Sequence, residues 1–170
     1  MEKVCKILSD VIMLILIIIA ALMLVPRLMG YGTYAVISSS MEPNIPVGSI
    51  VYDKDVKDVS KEVSVGDVVT YAISGDTMVT HRVTKIDTEN KTVTTKGDAN
   101  DTEDVNPISY DKVIGKVAFT IPILGYIAIY GRTKLGIAAV CAVVFVLVLL
   151  NFLPELFKKE EENKKEETNK

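Results

Sequence analysis

Three consecutive serines, Ser38, Ser39 and Ser40, stand where the chain is predicted to turn a sharp corner. They follow an apolar pair at residues 36–37, and Pro43 closes them. Because the residue before a proline is pushed out of the helical region, the segment is predicted to be an extended strand end that runs into a fixed turn. A serine at such a corner could act as a nucleophile, but it needs a neighbouring base to take its proton.

His81 is the one histidine of the chain, and histidine is the residue type best suited to exchange protons near neutral pH. It lies in a run rich in valine and threonine, where a period of two places it on the face of Val79 and Val83. The alternative to a general base is a strand histidine that simply packs against these valines.

Carboxylates come from the loop at residues 95–104, which contains Asp98 and Asp104. One of them could orient an imidazole and stabilise its charged form, as the third member of a catalytic triad does. The alternatives are a solvated acidic loop or a loose calcium site. A calcium loop would need more alternating carboxylates and a bidentate glutamate at fixed spacing, and that pattern is absent.

The elements that must position these residues are predicted to be strands. Runs rich in valine and threonine occupy residues 49–52, 67–73, 78–86, 91–96 and 113–121, and the polar link at residues 87–90 predicts a hairpin. The fold class is therefore mainly β, with a small antiparallel, barrel-like domain at about residues 31–120.

Two apolar segments flank this domain, and each is long enough to cross a bilayer as a helix. The first, within residues 1–30, could be a retained anchor or a cleaved secretory signal. Its length and the lack of a small-x-small site favour an anchor. The second, at residues 135–154, shows no polar face, which favours a membrane helix over the core helix of a soluble protein.

The remaining segments are predicted from composition. Residues 121–134 are apolar but short and are expected at the membrane interface. Residues 155–170, rich in Lys and Glu, are expected to be a disordered charged tail. Lysines near both ends predict that both termini are cytoplasmic and the middle extracytoplasmic.

Charge and cysteine content exclude several further classes of protein. The 170 residues carry a net charge of -3, which argues against a nucleic-acid partner. Cys5 and Cys141 both lie in or beside the apolar segments, so neither a disulfide framework nor a cysteine-built metal site is expected. No cofactor is expected.

Four blocks in order resemble signal peptidase I: Ser-x-Ser-Met-Glu-Pro, Gly-Asp-Val-Val, His-Arg-Val and Lys-Gly-Asp-x-Asn. With histidine in the third block, the chain is similar to the serine–histidine type found in the endoplasmic reticulum, in archaea and in some Gram-positive bacteria. The resemblance implies a membrane-bound serine endopeptidase that removes signal peptides from exported preproteins, with the lipid bilayer and the export machinery as further partners.

The resemblance also implies site roles. Ser40 would be the nucleophile and His81 the base. Ser38 would help to form the oxyanion hole with the backbone N–H of Ser40. Asp98 and Asp104 both match acidic positions of the family, and motif strength slightly favours Asp98 as the third triad member. The alternative function is a catalytically inactive, membrane-anchored β module or assembly subunit.

Overall fold

The structure, a computed structural model, describes residues 2–75 and 77–168, with side chains described as far as Phe152. The chain forms two compact units. One comprises Met1–Met23 and Tyr130–Lys170, and the other comprises Leu24–Ile129.

The first unit is built from two long helices. Helix α1 spans Glu2–Leu28, with its last turns in the second unit, and helix α4 spans Lys134–Thr168. By length and composition, Lys3–Leu28 and Lys134–Phe152 are apolar enough to cross a membrane. The Asn151 side-chain amide donates to Ser9 Oγ at 2.7 Å and to the Leu147 carbonyl at 2.8 Å. The first third of α1 thus contacts the middle of α4, near the end of its apolar part at Phe152.

Helix α4 differs from the sequence prediction at its C-terminal end. It continues to Thr168, through most of the segment at residues 155–170 that was predicted to be a disordered tail. Lysine and glutamate are both strong helix formers, so a charged segment that follows an apolar helix can extend it without burying a core. The last two residues of that tail lie outside the described residues.

The second unit contains a seven-stranded antiparallel sheet, which confirms the predicted fold class. Its spatial order is β1-β2-β7-β3-β4-β5-β6. The strands are β1 Gly32–Ala35, β2 Ile50–Asp55, β3 Val68–Ser74, β4 Thr77–Asp87, β5 Thr92–Lys96, β6 Ile108–Ser109 and β7 Val113–Ile121.

Five of these strands, β2, β3, β4, β5 and β7, match predicted runs, and the predicted β4–β5 hairpin is confirmed by antiparallel pairing of the two strands. The short helices of this unit have no counterpart in the prediction. Helix α2, Val59–Glu62, is a single turn whose N-cap Asp58 accepts from the Ser60 backbone N–H. Helix α3, Leu124–Tyr130, lies in the segment predicted to be interfacial.

Two apolar clusters stabilise the sheet. The larger packs valines of β3, β4, β5 and β7 around Tyr71 and against Val59 of α2 and its C-cap residue Val63. The smaller comprises Met41, Ile45 and Val51, and it fixes the turn that follows β1 to the sheet. Met41 is only 2% exposed. Burial of a methionine of this kind stabilises a fold by about 1.5–3 kcal/mol.

One carboxyl is buried within β2. Asp53 is 1% exposed, and neither of its oxygens has a hydrogen-bond partner of acceptable geometry among the described residues. Burial raises the pKa of Asp53 to about 6, although the Thr70 hydroxyl nearby offsets part of this effect. A buried carboxyl without partners favours its neutral form.

Candidate active site

Ser40 lies in the turn between β1 and β2, and the residues after it anchor this turn. Met41 and Ile45 point into the smaller apolar cluster, and the Ile45 N–H donates to the Met41 carbonyl at 2.8 Å. The Ser40 carbonyl accepts from the Ala99 N–H at 2.9 Å. A Cβ atom on Gly97 would lie 2.6 Å from the Ser40 carbonyl oxygen. Only glycine therefore allows the acidic loop, residues 97–104, to approach Ser40 this closely.

His81 lies in the middle of β4, opposite Val69 of β3, and is buried. Its Nε2 atom is 3.0 Å from Ser40 Oγ, and its Nδ1 atom is 2.7 Å from Asp104 Oδ2. The imidazole therefore bridges a hydroxyl and a carboxylate that are far apart in sequence. This is the arrangement in which a base can take a serine proton while a carboxylate orients the ring.

Asp104 is held by hydroxyl groups as well as by the imidazole. Its Oδ2 atom accepts from Thr95 Oγ1 at 2.7 Å and from the Tyr71 hydroxyl at 3.1 Å. Burial opposes ionisation of Asp104, but the hydrogen bonds from His81 and Thr95 outweigh it and lower the pKa of Asp104. Burial raises the pKa of Tyr71 to about 12, so its hydroxyl remains a donor.

Asp98, which motif strength favoured as the third triad member, binds a different partner. Its two carboxylate oxygens accept from Arg82 Nε at 2.8 Å and from Arg82 Nη2 at 2.6 Å. Oδ2 also accepts from the Asn44 amide at 2.8 Å. The hydrogen bonds from Arg82 lower the pKa of Asp98. Asp98 thus connects the turn that carries Ser40 to the strand that carries His81, and the structure places Asp104 against the imidazole.

Ser38 and Ser39 are exposed neighbours of Ser40. The Ser38 hydroxyl lies 3.4 Å from Ser40 Oγ, at the long limit of a hydrogen bond. Its side chain therefore lies beside the candidate nucleophile, on the same open surface.

Two clefts border His81. The first cleft has a volume of about 340 Å³ and is lined by Ser38, Ser40 and His81 together with apolar side chains that include Val36, Met41 and Ile45. The second cleft has a volume of about 420 Å³ and is lined by His81, Asp104 and further residues of β3, β4 and the acidic loop. Val79 contributes to both.

Several residues that build the site were not predicted from sequence: Asn44, Tyr71, Arg82, Thr95 and Gly97. Arg82 and Gly97 lie inside the motifs that carry the resemblance, so these motifs could have marked them as site residues. No sequence pattern marked Tyr71 and Thr95, because their hydroxyls reach Asp104 only when the strands pack in the sheet. Among the described residues, no cluster of three or more His, Cys, Asp or Glu side chains could hold a metal ion.

A buried imidazole between a serine and a carboxylate is the arrangement that serine hydrolases use. Comparison with curated proteins finds one relative to report: signal peptidase I W of Bacillus subtilis (strain 168) is 39% identical over 90 residues, which are 52% of this chain and 47% of the relative. The chain thus spans about half the length of that curated relative. No protein-family model matches the chain. The similarity supports a relationship to the signal peptidase family.

Proposed function

We propose that this protein is a membrane-bound serine endopeptidase that removes N-terminal signal peptides from exported preproteins. The observation that carries the proposal is the position of His81, 3.0 Å from Ser40 Oγ and 2.7 Å from Asp104 Oδ2. The similarity to a signal peptidase I supplies the substrate class. The serine–histidine type follows from the identity of residue 81.

In the proposed mechanism, His81 Nδ1–H donates to Asp104, which leaves Nε2 free to accept the Ser40 proton. Ser40 Oγ then attacks the scissile carbonyl, and the Ser38 hydroxyl and the Ser40 backbone N–H stabilise the oxyanion that develops. The protonated imidazole gives its proton to the leaving amine. A water molecule, activated by the same imidazole, hydrolyses the acyl-enzyme.

The first cleft is suited to the signal-peptide side of the substrate. It contains Ser40 and is lined largely by apolar side chains, and it lies next to β1, an edge strand of the sheet. An extended peptide can pair with an exposed strand edge while alternate side chains enter shallow pockets. We expect small residues at the first and third positions before the cleavage site.

The proposed location is the cell membrane, with two spans, both termini cytoplasmic and the β domain extracytoplasmic. Support comes from the two long apolar helices and from the Ser9–Asn151 hydrogen bond, which joins the first third of α1 to the end of the apolar part of α4. Such a contact is expected of a helical hairpin whose ends lie on one side, and it satisfies two polar side chains within hydrocarbon. The export machinery is the expected partner that delivers preproteins.

The test is cleavage of a purified preprotein in detergent by the full chain. Ser40→Ala and His81→Ala should each reduce the rate by at least 10³-fold, as loss of a nucleophile or its base does elsewhere. Ser39→Ala is the matched control, because it removes an adjacent exposed hydroxyl and should cleave normally. Processing by Ser40→Ala at the control rate would contradict the role of Ser40, whereas a folded wild type that cleaves no preprotein would favour the inactive anchored β module.

A further inference from the structure

The second cleft has no role in the mechanism described above. Its apolar lining includes Ile73 of β3, Val79 of β4, Ile108 of β6 and Val105 of the loop before β6, and polar side chains, most of them from the acidic loop, form the rest. Val105 is 92% exposed, although it is apolar. Single exposed apolar residues need no explanation, but one that lines a partly apolar cleft beside the candidate catalytic imidazole presents a contact surface for a ligand.

The second cleft borders the same imidazole as the first. Both clefts are lined by His81 and Val79. The first cleft contains Ser40, the partner of Nε2, and the second contains Asp104, the partner of Nδ1. A peptide that fills the first cleft up to Ser40 and continues past the imidazole enters the second cleft.

The chemistry fixes the direction of the peptide. The acyl half of the substrate must lie against Ser40 and Ser38, which line the first cleft. The leaving nitrogen must receive its proton from the imidazole, so the chain after the cleavage site has to begin next to His81.

We propose that the second cleft binds the first residues after the cleavage site, the new N-terminal segment of the mature protein. This inference rests on the proposed peptidase function. The segment contacts the apolar walls with its side chains, and its leaving amine stays beside His81 Nε2, from which it receives its proton.

The charge of the cleft predicts which segments bind well. Its described lining includes the carboxylates of Glu103 and Asp104 and no lysine or arginine. Lys85 pairs with Glu103 at 3.0 Å and offsets part of this charge. Apolar residues should therefore bind better than acidic ones just after the cleavage site.

The test uses two pairs of preproteins and the full chain in detergent. One pair differs by Leu or Asp at the second residue after the cleavage site. The other pair differs by Leu or Asp at the second residue before it. The wild type should prefer Leu in the first pair by about tenfold in kcat/KM, which is typical of one apolar contact in an enzyme pocket.

Val105→Lys should reduce this preference to about one, because a lysine attracts the aspartate and removes the apolar wall. It should leave the ratio for the second pair unchanged. Val65→Lys is the matched control, because Val65 is 62% exposed and does not line the second cleft. The use of ratios removes any general effect of a new charge beside Asp104 on the rate.

Two results would overturn the inference. If Val105→Lys changes the ratio for the pair that differs before the cleavage site, the cleft holds the acyl half of the substrate. If neither ratio differs from that of Val65→Lys, no part of the substrate occupies the cleft. If the wild type cleaves none of the preproteins while it remains folded, the proposed function itself fails, which is a separate result.

Discussion

The two aspartates of the acidic loop should respond very differently to the same isosteric change. Asp104 Oδ2 accepts from His81 Nδ1, Thr95 and Tyr71. In Asp104→Asn, an amide oxygen in that place still accepts from these donors, but the side chain no longer carries the negative charge that stabilises the protonated imidazole. The analogous change in a well-studied serine protease reduces kcat by about 10⁴-fold, and we expect a loss of 10³- to 10⁴-fold here.

Asp98→Asn should lower the free energy of unfolding rather than the rate of cleavage. The carboxylate of Asp98 accepts two hydrogen bonds from Arg82 and one from Asn44. A hydrogen bond to a charged group contributes about 1.5–3 kcal/mol. The Arg82 side chain is 36% exposed, so solvent screening reduces this to about 1 kcal/mol. The amide still fills the space, and the rate should fall by less than about tenfold.

The assay measures kcat/KM on one preprotein and the melting temperature of each variant. Asp101→Asn is the matched control, because Asp101 is an exposed carboxylate in the same loop. The reasoning is refuted if Asp98→Asn loses as much activity as Asp104→Asn at an unchanged melting temperature. It is also refuted if Asp104→Asn cleaves at the control rate.

Two further substitutions test the packing and the buried charge. Gly97→Ala places a Cβ 2.6 Å from the Ser40 carbonyl oxygen. The turn that carries Ser40 must shift, so kcat should fall by about tenfold or more and the free energy of unfolding by about 1–3 kcal/mol. An unchanged kcat would contradict the role of this close approach. The folded-state pKa of Asp53, about 6, exceeds its ordinary value of 3.8. The free energy of unfolding is therefore highest below about pH 4 and falls as the pH rises through 6, because the buried carboxyl has to ionise. The shift amounts to about 3 kcal/mol. Asp53→Asn should therefore be more stable than the wild type at pH 7 and equally stable at pH 4 in denaturant titrations, and an equal difference at both pH values would contradict this.

The sequence predicted the long strands well because their valines and threonines recur along extended runs with turn residues between them. It did not predict β6, which has only two residues, or α2, which has one turn. Elements this short have no measurable period. Their conformations come from packing, as when Val59 of α2 enters the larger apolar cluster.

In the candidate site, too, some residues could be predicted from the sequence and others are determined by packing. Ser40 and His81 could be selected because the chain offers one histidine and one serine run at a corner. The choice between Asp98 and Asp104 could not be made, since both lie in a loop without period. Arg82 directs the Asp98 carboxylate away from the ring, and Thr95 and Tyr71 hold Asp104 toward it. These contacts depend on strand register, which is a tertiary property.

The acidic loop touches every part of the candidate site at once. Ala99 binds the Ser40 carbonyl, Asp98 binds Asn44 of the same turn, and Asp104 binds the imidazole. One segment of about eight residues thus holds the turn that carries the nucleophile and the carboxylate that orients the base. A break in this loop would release both halves of the candidate site together.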